Sequence, residues 1–173
     1  MLQVKSTTEE NFTKVFLNID REGRIVRSLK NGEKEYFDFM SASLSSIRTR
    51  EREYNGERVK VWNISLKDYD SREEYILSLR YESGVFRSIV LALASLPLID
   101  GRTPISIHPY NRDGYTKVIV KYGETRLDWI DGGKNLPPME EVVVGGKTYK
   151  DSQKRDAYIE GLVSQINSRI FEA

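Results

Sequence analysis

The order of residue patterns between positions 36 and 130 predicts a mostly-β protein. The expected fold is an OB-like Greek-key barrel with one inserted helix, an N-terminal β-hairpin and a C-terminal helix. Two observations carry this. Three strand-like runs, a helix and a closing hairpin follow one another in that order. Reactive side chains are scarce as well, with no Cys and a single His, so a binding barrel is a better starting point than an enzyme.

The elements can be justified in turn. Residues 1–11 are polar and read as a loose start. Residues 14–19 and 24–29 flank Asp20-Arg21-Glu22-Gly23, a turn signal, and predict the leading hairpin. Asn31-Gly32 is a second turn. Residues 35–48 form one long run, rich in small residues over 41–46, where a bulge would bend a barrel's first strand. Asn55-Gly56 turns the chain into residues 58–67, where Lys60, Trp62, Ile64 and Leu66 alternate with Val59 and Val61. Residues 74–81 alternate in the same way.

Ser83 then caps a helix whose stripe is Val85, Phe86, Ile89, Val90, Leu93 and Leu96, and Pro97 stops it. This helix is expected to plug the barrel. Residues 105–109 and 115–122 form a hairpin around 111–114, and 125–130 follow as a further strand-like run. Residues 1–130 are therefore expected to form the barrel with its hairpin, and 131–173 a connector, a short β arm and a helix packed on the barrel or a partner. The connector 131–139 is rich in Gly and Pro; 141–150 read as a hairpin about Gly145-Gly146. A final helix to about Phe171 carries Tyr158, Leu162, Val163, Ile166 and Ile170.

Composition narrows the function. Net charge is +1, from 27 basic and 26 acidic side chains, so phosphate contact would need a local basic patch. The absence of Cys excludes disulfides and thiolate zinc sites. No signal peptide or membrane-length run is evident, and the expectation is a soluble cytoplasmic protein with no membrane partner. Gly145-Gly146-Lys147-Thr148 resembles the tail of a phosphate loop, but Glu141 stands where its first Gly is needed. Asp68 and Asp70 suit a turn better than a metal site. His108 reads as structural. No catalytic residue, metal or cofactor is expected, and the chain reads as non-enzymatic.

In an OB-fold the ligand crosses strands two and three, flanked by the loops between strands one and two and between strands four and five. Here the first loop spans 49–57, with Arg50, Arg52 and Tyr54, and with Arg48 and Arg58 at its bases. The second spans 109–115, with Tyr110, Arg112 and Tyr115. Arg beside Tyr suits phosphate contact plus base stacking. Lys60, Trp62 and Arg80 complete the candidate nucleic-acid-binding set, Trp62 as either a stacking platform or a core residue. Glu51, Glu53 and Glu57 leave open that the first loop is an ordinary neutralised hairpin tip.

Several stretches resemble the single-stranded DNA-binding proteins of phages and mobile elements of gut Bacteroidetes: Val59-Lys60-Val61-Trp62, residues 75–81, the 88–96 helix, Ile107-His108-Pro109-Tyr110, Gly114-Tyr115, and Lys147-Thr148-Tyr149-Lys150-Asp151. The resemblance implies an OB-fold that coats single-stranded DNA in replication or recombination in the bacterial host cytoplasm, alongside replication or recombination proteins. It is compatible with a homo-oligomer. The chain departs from many such proteins in ending straight off a helix, without an acidic tail. The alternative reading is a non-enzymatic structural or protein-interaction module, such as a phage assembly component or adaptor.

Overall fold

The computed structural model describes residues 11–172; the expected loose start at 1–10 lies outside them. Alternating apolar residues, punctuated by Gly-containing turns, fold into a sheet whose strands run in the order β10-β9-β8-β4-β5-β6-β1-β2-β3. The strands are β1 (Thr13–Ile19), β2 (Ile25–Ser28), β3 (Lys34–Phe37), β4 (Met40–Tyr54), β5 (Glu57–Asp68), β6 (Glu73–Arg80), β8 (Pro104–Arg112), β9 (Tyr115–Tyr122) and β10 (Thr125–Arg126). Helix α1 (Gly84–Leu93) follows β6, and the short β7 (Ile99–Asp100) follows α1. The chain then adds the hairpin β11 (Glu140–Val144) and β12 (Lys147–Asp151), helix α2 (Gln153–Arg169) and β13 (Ile170–Phe171). Among the described residues no helix is long and apolar enough to cross a membrane.

The architecture is mostly β, but the sheet is not closed into a barrel: β3 and β10 are its two ends. The leading hairpin is the physical reason. Its strand β1 lies parallel to β6, from Thr13 opposite Glu73 to Leu17 opposite Leu77, and occupies that edge of the sheet. Residues 35–48, expected as one strand, divide at Asp38-Phe39 into β3 and β4, which pair with different neighbours. The bulge expected in 41–46 appears as a register shift between Leu44 and Ser46. The run 125–130 is strand only as far as Arg126; a 3-10 turn covers Ile130–Gly133.

One face of the sheet is dry. Val15 and Leu17, Trp62, Ile64 and Leu66, and Leu77 and Leu79 alternate inward into one core with α1, whose Phe86, Ile89, Val90, Leu91 and Leu93 are all buried. Ser83 caps α1 by accepting from the Phe86 N–H at 3.2 Å. Helix α2 buries Ile159, Leu162, Val163 and Ile166 in the same core. It ends at Arg169, where Ile170 and Phe171 leave helical geometry to pair in parallel with β7. Its Asn167 imitates a strand: the carboxamide oxygen accepts from the Ile47 N–H at 2.9 Å, and its NH2 donates to the Ile47 carbonyl at 2.8 Å. Arg169 donates to the Ala94 and Leu96 carbonyls just beyond α1, satisfying acceptors a helix end leaves open.

The turn between β1 and β2 is held against the hairpin of β8 and β9. Asn111 and Thr116 both donate to the Arg21 carbonyl, at 2.9 and 3.0 Å. Gly23 has φ +77°, and a Cβ there would sit 2.4 Å from the Tyr110 carbonyl carbon. Gly23→Ala is therefore expected to combine left-handed strain with a backbone clash, costing about 2–4 kcal/mol. Chemical denaturation should show the lowered midpoint; an unchanged midpoint would mean that the two hairpins are not locked at this point.

Candidate functional site

Strands β4 and β5 run past the rest of the sheet as a two-stranded ribbon. Strand β6 pairs with β5 only from Val61 onward, whereas β4 and β5 pair as far as Tyr54 opposite Glu57. Asn55 and Gly56, with φ 51° and 79°, close the ribbon in a two-residue turn with both central residues left-handed. Residues 49–57, expected as a loop, are therefore strand apart from that turn. The correction has a functional consequence, because a strand sorts its side chains by parity.

Arg48, Arg50, Arg52 and Tyr54 fall on one face, opposite Asn63, Val61, Val59 and Glu57. Thr49, Glu51 and Glu53 fall on the other, opposite Trp62, Lys60 and Arg58. Glu51 meets Arg58 there at 3.5 Å. Glu51 and Glu53 thus have the opposite parity to Arg48, Arg50 and Arg52, while Glu57 at the tip shares their face. Arg80, opposite Val61 on β6, joins the arginine face. Among the described residues, none of Arg48, Arg50, Arg52 and Arg80 has a carboxylate within 4.0 Å.

A groove of about 810 Å³ opens beside this face. Val26, Val59, Val61 and Leu79 give it apolar lining, Asn18, Ser28 and Ser78 give it hydrogen-bonding groups, and Arg52, Tyr54, Phe16 and Arg80 border it. Glu53 and Glu82 also reach its rim. Tyr54 is 65% exposed and Phe16 49%. The Arg52 guanidinium lies 6.0 Å from the centre of the Phe16 ring. The arrangement offers flat apolar surfaces for rings and unpaired cations for anions.

Of the expected residues, Arg52, Tyr54 and Arg80 line the groove, and Arg48 and Arg50 share its face. Arg58 and Lys60 point to the other side. There the Lys60 ammonium sits 4.3 Å from the centre of the Tyr81 ring and 3.8 Å from Glu160 of α2. Trp62 is a core residue, 4% exposed, with its ring stacked between Phe86 at 4.8 Å and Tyr81 at 5.5 Å. Its neighbours Ile64 and Leu66 share that parity and are fully buried in the same core, so the ring is out of reach of a surface ligand. Burial and the hydrogen bond to Glu160 raise the Tyr81 pKa.

Tyr110, Arg112 and Tyr115 belong to the hairpin of β8 and β9, where Arg112 lies opposite Tyr115 across Asp113-Gly114. They do not line the groove. His108 stacks on Phe39 at 4.9 Å, and burial followed by the Lys121 charge lowers its pKa. Among the described residues no group of three His, Cys, Asp or Glu side chains could hold a metal ion.

Sequence reasoning missed Phe16, Asn18 and Ser28. A signal for Phe16 was present: in residues 14–18, Val15 and Leu17 take the buried parity and leave Phe16 between Lys14 and Asn18 on the wet one. No known family model matches this chain, and no curated protein or solved structure matches it either.

Proposed function

We propose that the arginine face binds single-stranded nucleic acid without catalysis, and specifically single-stranded DNA. The observation that carries this reading is the sorting of Arg48, Arg50, Arg52 and Arg80 with exposed Tyr54 and Phe16 on one face, beside a groove with apolar lining. Guanidiniums spaced two residues apart along a strand stand about 7 Å from one another, a spacing suited to successive phosphates of an extended strand. Aromatic rings beside them suit bases with free faces.

Strand order supports the OB-like part of the reading. Strands β4, β5 and β6 follow in hairpin succession, and β8 returns through α1 to lie beside β4. That spatial order, fourth-first-second-third, is the one a Greek key would have, and it supports this part of the proposal. Strands β5 and β6, the second and third of the set, contribute Val59, Val61, Ser78, Leu79 and Arg80 to the groove, alongside residues of β1, β2 and β4. A role in phage or mobile-element replication or recombination, in the host cytoplasm, rests on the sequence resemblance and is part of this proposal.

The test is fluorescence anisotropy with labelled single-stranded and duplex DNA in a metal-free buffer. Single strands should bind more tightly, and equal or stronger duplex binding would overturn the reading. The affinity should fall with salt at a slope of about −0.7 per neutralised phosphate. Arg50→Ala should reduce that slope by about one such increment. Tyr54→Ala and Phe16→Ala should each weaken binding by about 1–3 kcal/mol while leaving the slope unchanged. Arg112→Ala and Tyr115→Ala separate the groove from the second hairpin: if they cost more than the groove variants, the site lies there instead.

A further inference from the structure

We propose that the hairpin of β11 and β12 docks onto the free edge of β4 in a second copy of this chain, extending that copy's sheet. The proposal does not rest on nucleic-acid binding, although the docked strand would lie beside Arg50 and Arg52 of the arginine face, and it starts from two unsatisfied backbones. Among the described residues β12 pairs with β11 alone. Every residue from Glu140 to Lys150 is exposed, including Val143 at 69% and Val144 at 61%. An isolated two-stranded hairpin is marginal in water, so this one is short of a partner. Strand β4 has the complementary deficiency. Strand β8 pairs with it only from Met40 to Ser43, and Asn167 satisfies Ile47, but among the described residues no strand covers that edge further along.

Hydrogen-bond phase selects the register. Ile47 turns its N–H and C=O to Asn167, away from β5, so Thr49, Glu51 and Glu53 expose theirs on the same edge. Val144 opposite Lys147 closes the other hairpin at Gly145-Gly146, so β12 directs Lys147, Tyr149 and Asp151 at β11 and leaves Thr148 and Lys150 free. Antiparallel addition must set free groups opposite free groups. Placing Lys150 opposite Glu51 and Thr148 opposite Glu53 then sets Asp151 opposite Arg50 and Tyr149 opposite Arg52. Each close charge pair is of opposite sign, and an aromatic ring meets a guanidinium.

The neighbouring registers are worse. A shift of two one way puts Lys147 opposite Arg52; the other way runs Thr148 into the Asn55 turn. Using β11 instead places Glu141 opposite Glu51 or Glu53, a like-charge pair. A second copy is the fitting donor because α2 leads its own hairpin away from this edge. The helix passes from Asn167, at the β4 edge, to Glu160, which meets Lys60 and Tyr81 on β5 and beyond β6.

Light scattering on the full chain across a concentration series tests the proposal. The mass should rise above that of a monomer with concentration. Lys150→Glu alone and Glu51→Lys alone should each weaken association several-fold, and both substitutions in one chain should restore it, since like charges opposite one another destabilise a strand pair. Because the chain has no Cys, mixing a Lys150→Cys variant with a Glu51→Cys variant should give a disulfide-linked heterodimer in preference to either homodimer. A monomer at every concentration up to the solubility limit would overturn the proposal. So would a disulfide that forms within one chain of the double-Cys variant, which would seat the hairpin on its own edge.

Discussion

Phe86→Ala is expected to lower stability by about 3–5 kcal/mol, the usual cost of emptying a buried aromatic site. Three features place this residue at the upper end of that range. Its side chain is 0% exposed, so the full transfer term is lost. Its ring forms one end of a stack with Trp62 and Tyr81, and such contacts add about 0.5–1.5 kcal/mol per pair beyond area. Its neighbours cannot collapse into the space, because Trp62 is held between two strands and α1. A loss of this size is a large fraction of the 5–15 kcal/mol that stabilises an ordinary domain, so the variant should melt well below the parent. Circular dichroism melting measures it. Unchanged melting would show that α1 does not plug the sheet where Phe86 places it.

The elements themselves were legible because period-2 and period-3.6 patterns are local. The turns were legible for the same reason: Gly23, Gly32, Gly56 and Gly114 all take the left-handed conformation their sequence contexts request. What stayed hidden depends on partners distant in sequence. Nothing between residues 13 and 19 announces that β1 will lie parallel to β6, yet that pairing occupies the edge a closed barrel would need. Trp62 could be assigned to one side of its strand with Lys60, Ile64 and Leu66. Only the core that α1 and α2 complete decides that this side is dry, and Lys60 stays half-exposed beside Glu160 of α2 and the Tyr81 ring.

The candidate site shows a different kind of error. Residues 48–54 have the composition of a loop, since five of the seven are charged. Their order is that of a strand, with arginines on even positions and glutamates on odd ones. Composition counts three Arg against two Glu and finds them nearly cancelling; parity separates them across a sheet. The near-zero net charge of the whole chain conceals a one-sided face in the same way.

Deleting residues 152–173 is expected to abolish the cooperative folded state. The sequence alone left open whether this helix packs on the barrel or on a partner. In the structure α2 supplies Ile159, Leu162, Val163 and Ile166 to the core shared with α1, all at most 5% exposed. At about 1.5–3 kcal/mol for each buried aliphatic side chain, their removal forfeits about 6–12 kcal/mol, comparable to the stability of an entire domain. The deletion also strips the Asn167 clamp from Ile47 and the Arg169 bonds from the carbonyls beyond α1. The truncated chain should therefore be insoluble, or should melt without a sharp transition in calorimetry. The informative comparison replaces residues 140–150 with a short Gly/Ser linker. That change removes only exposed residues, so the parent melting temperature should persist. A truncated chain that keeps the parent's sharp transition would mean that α2 is an appendage, and that the core closes without it.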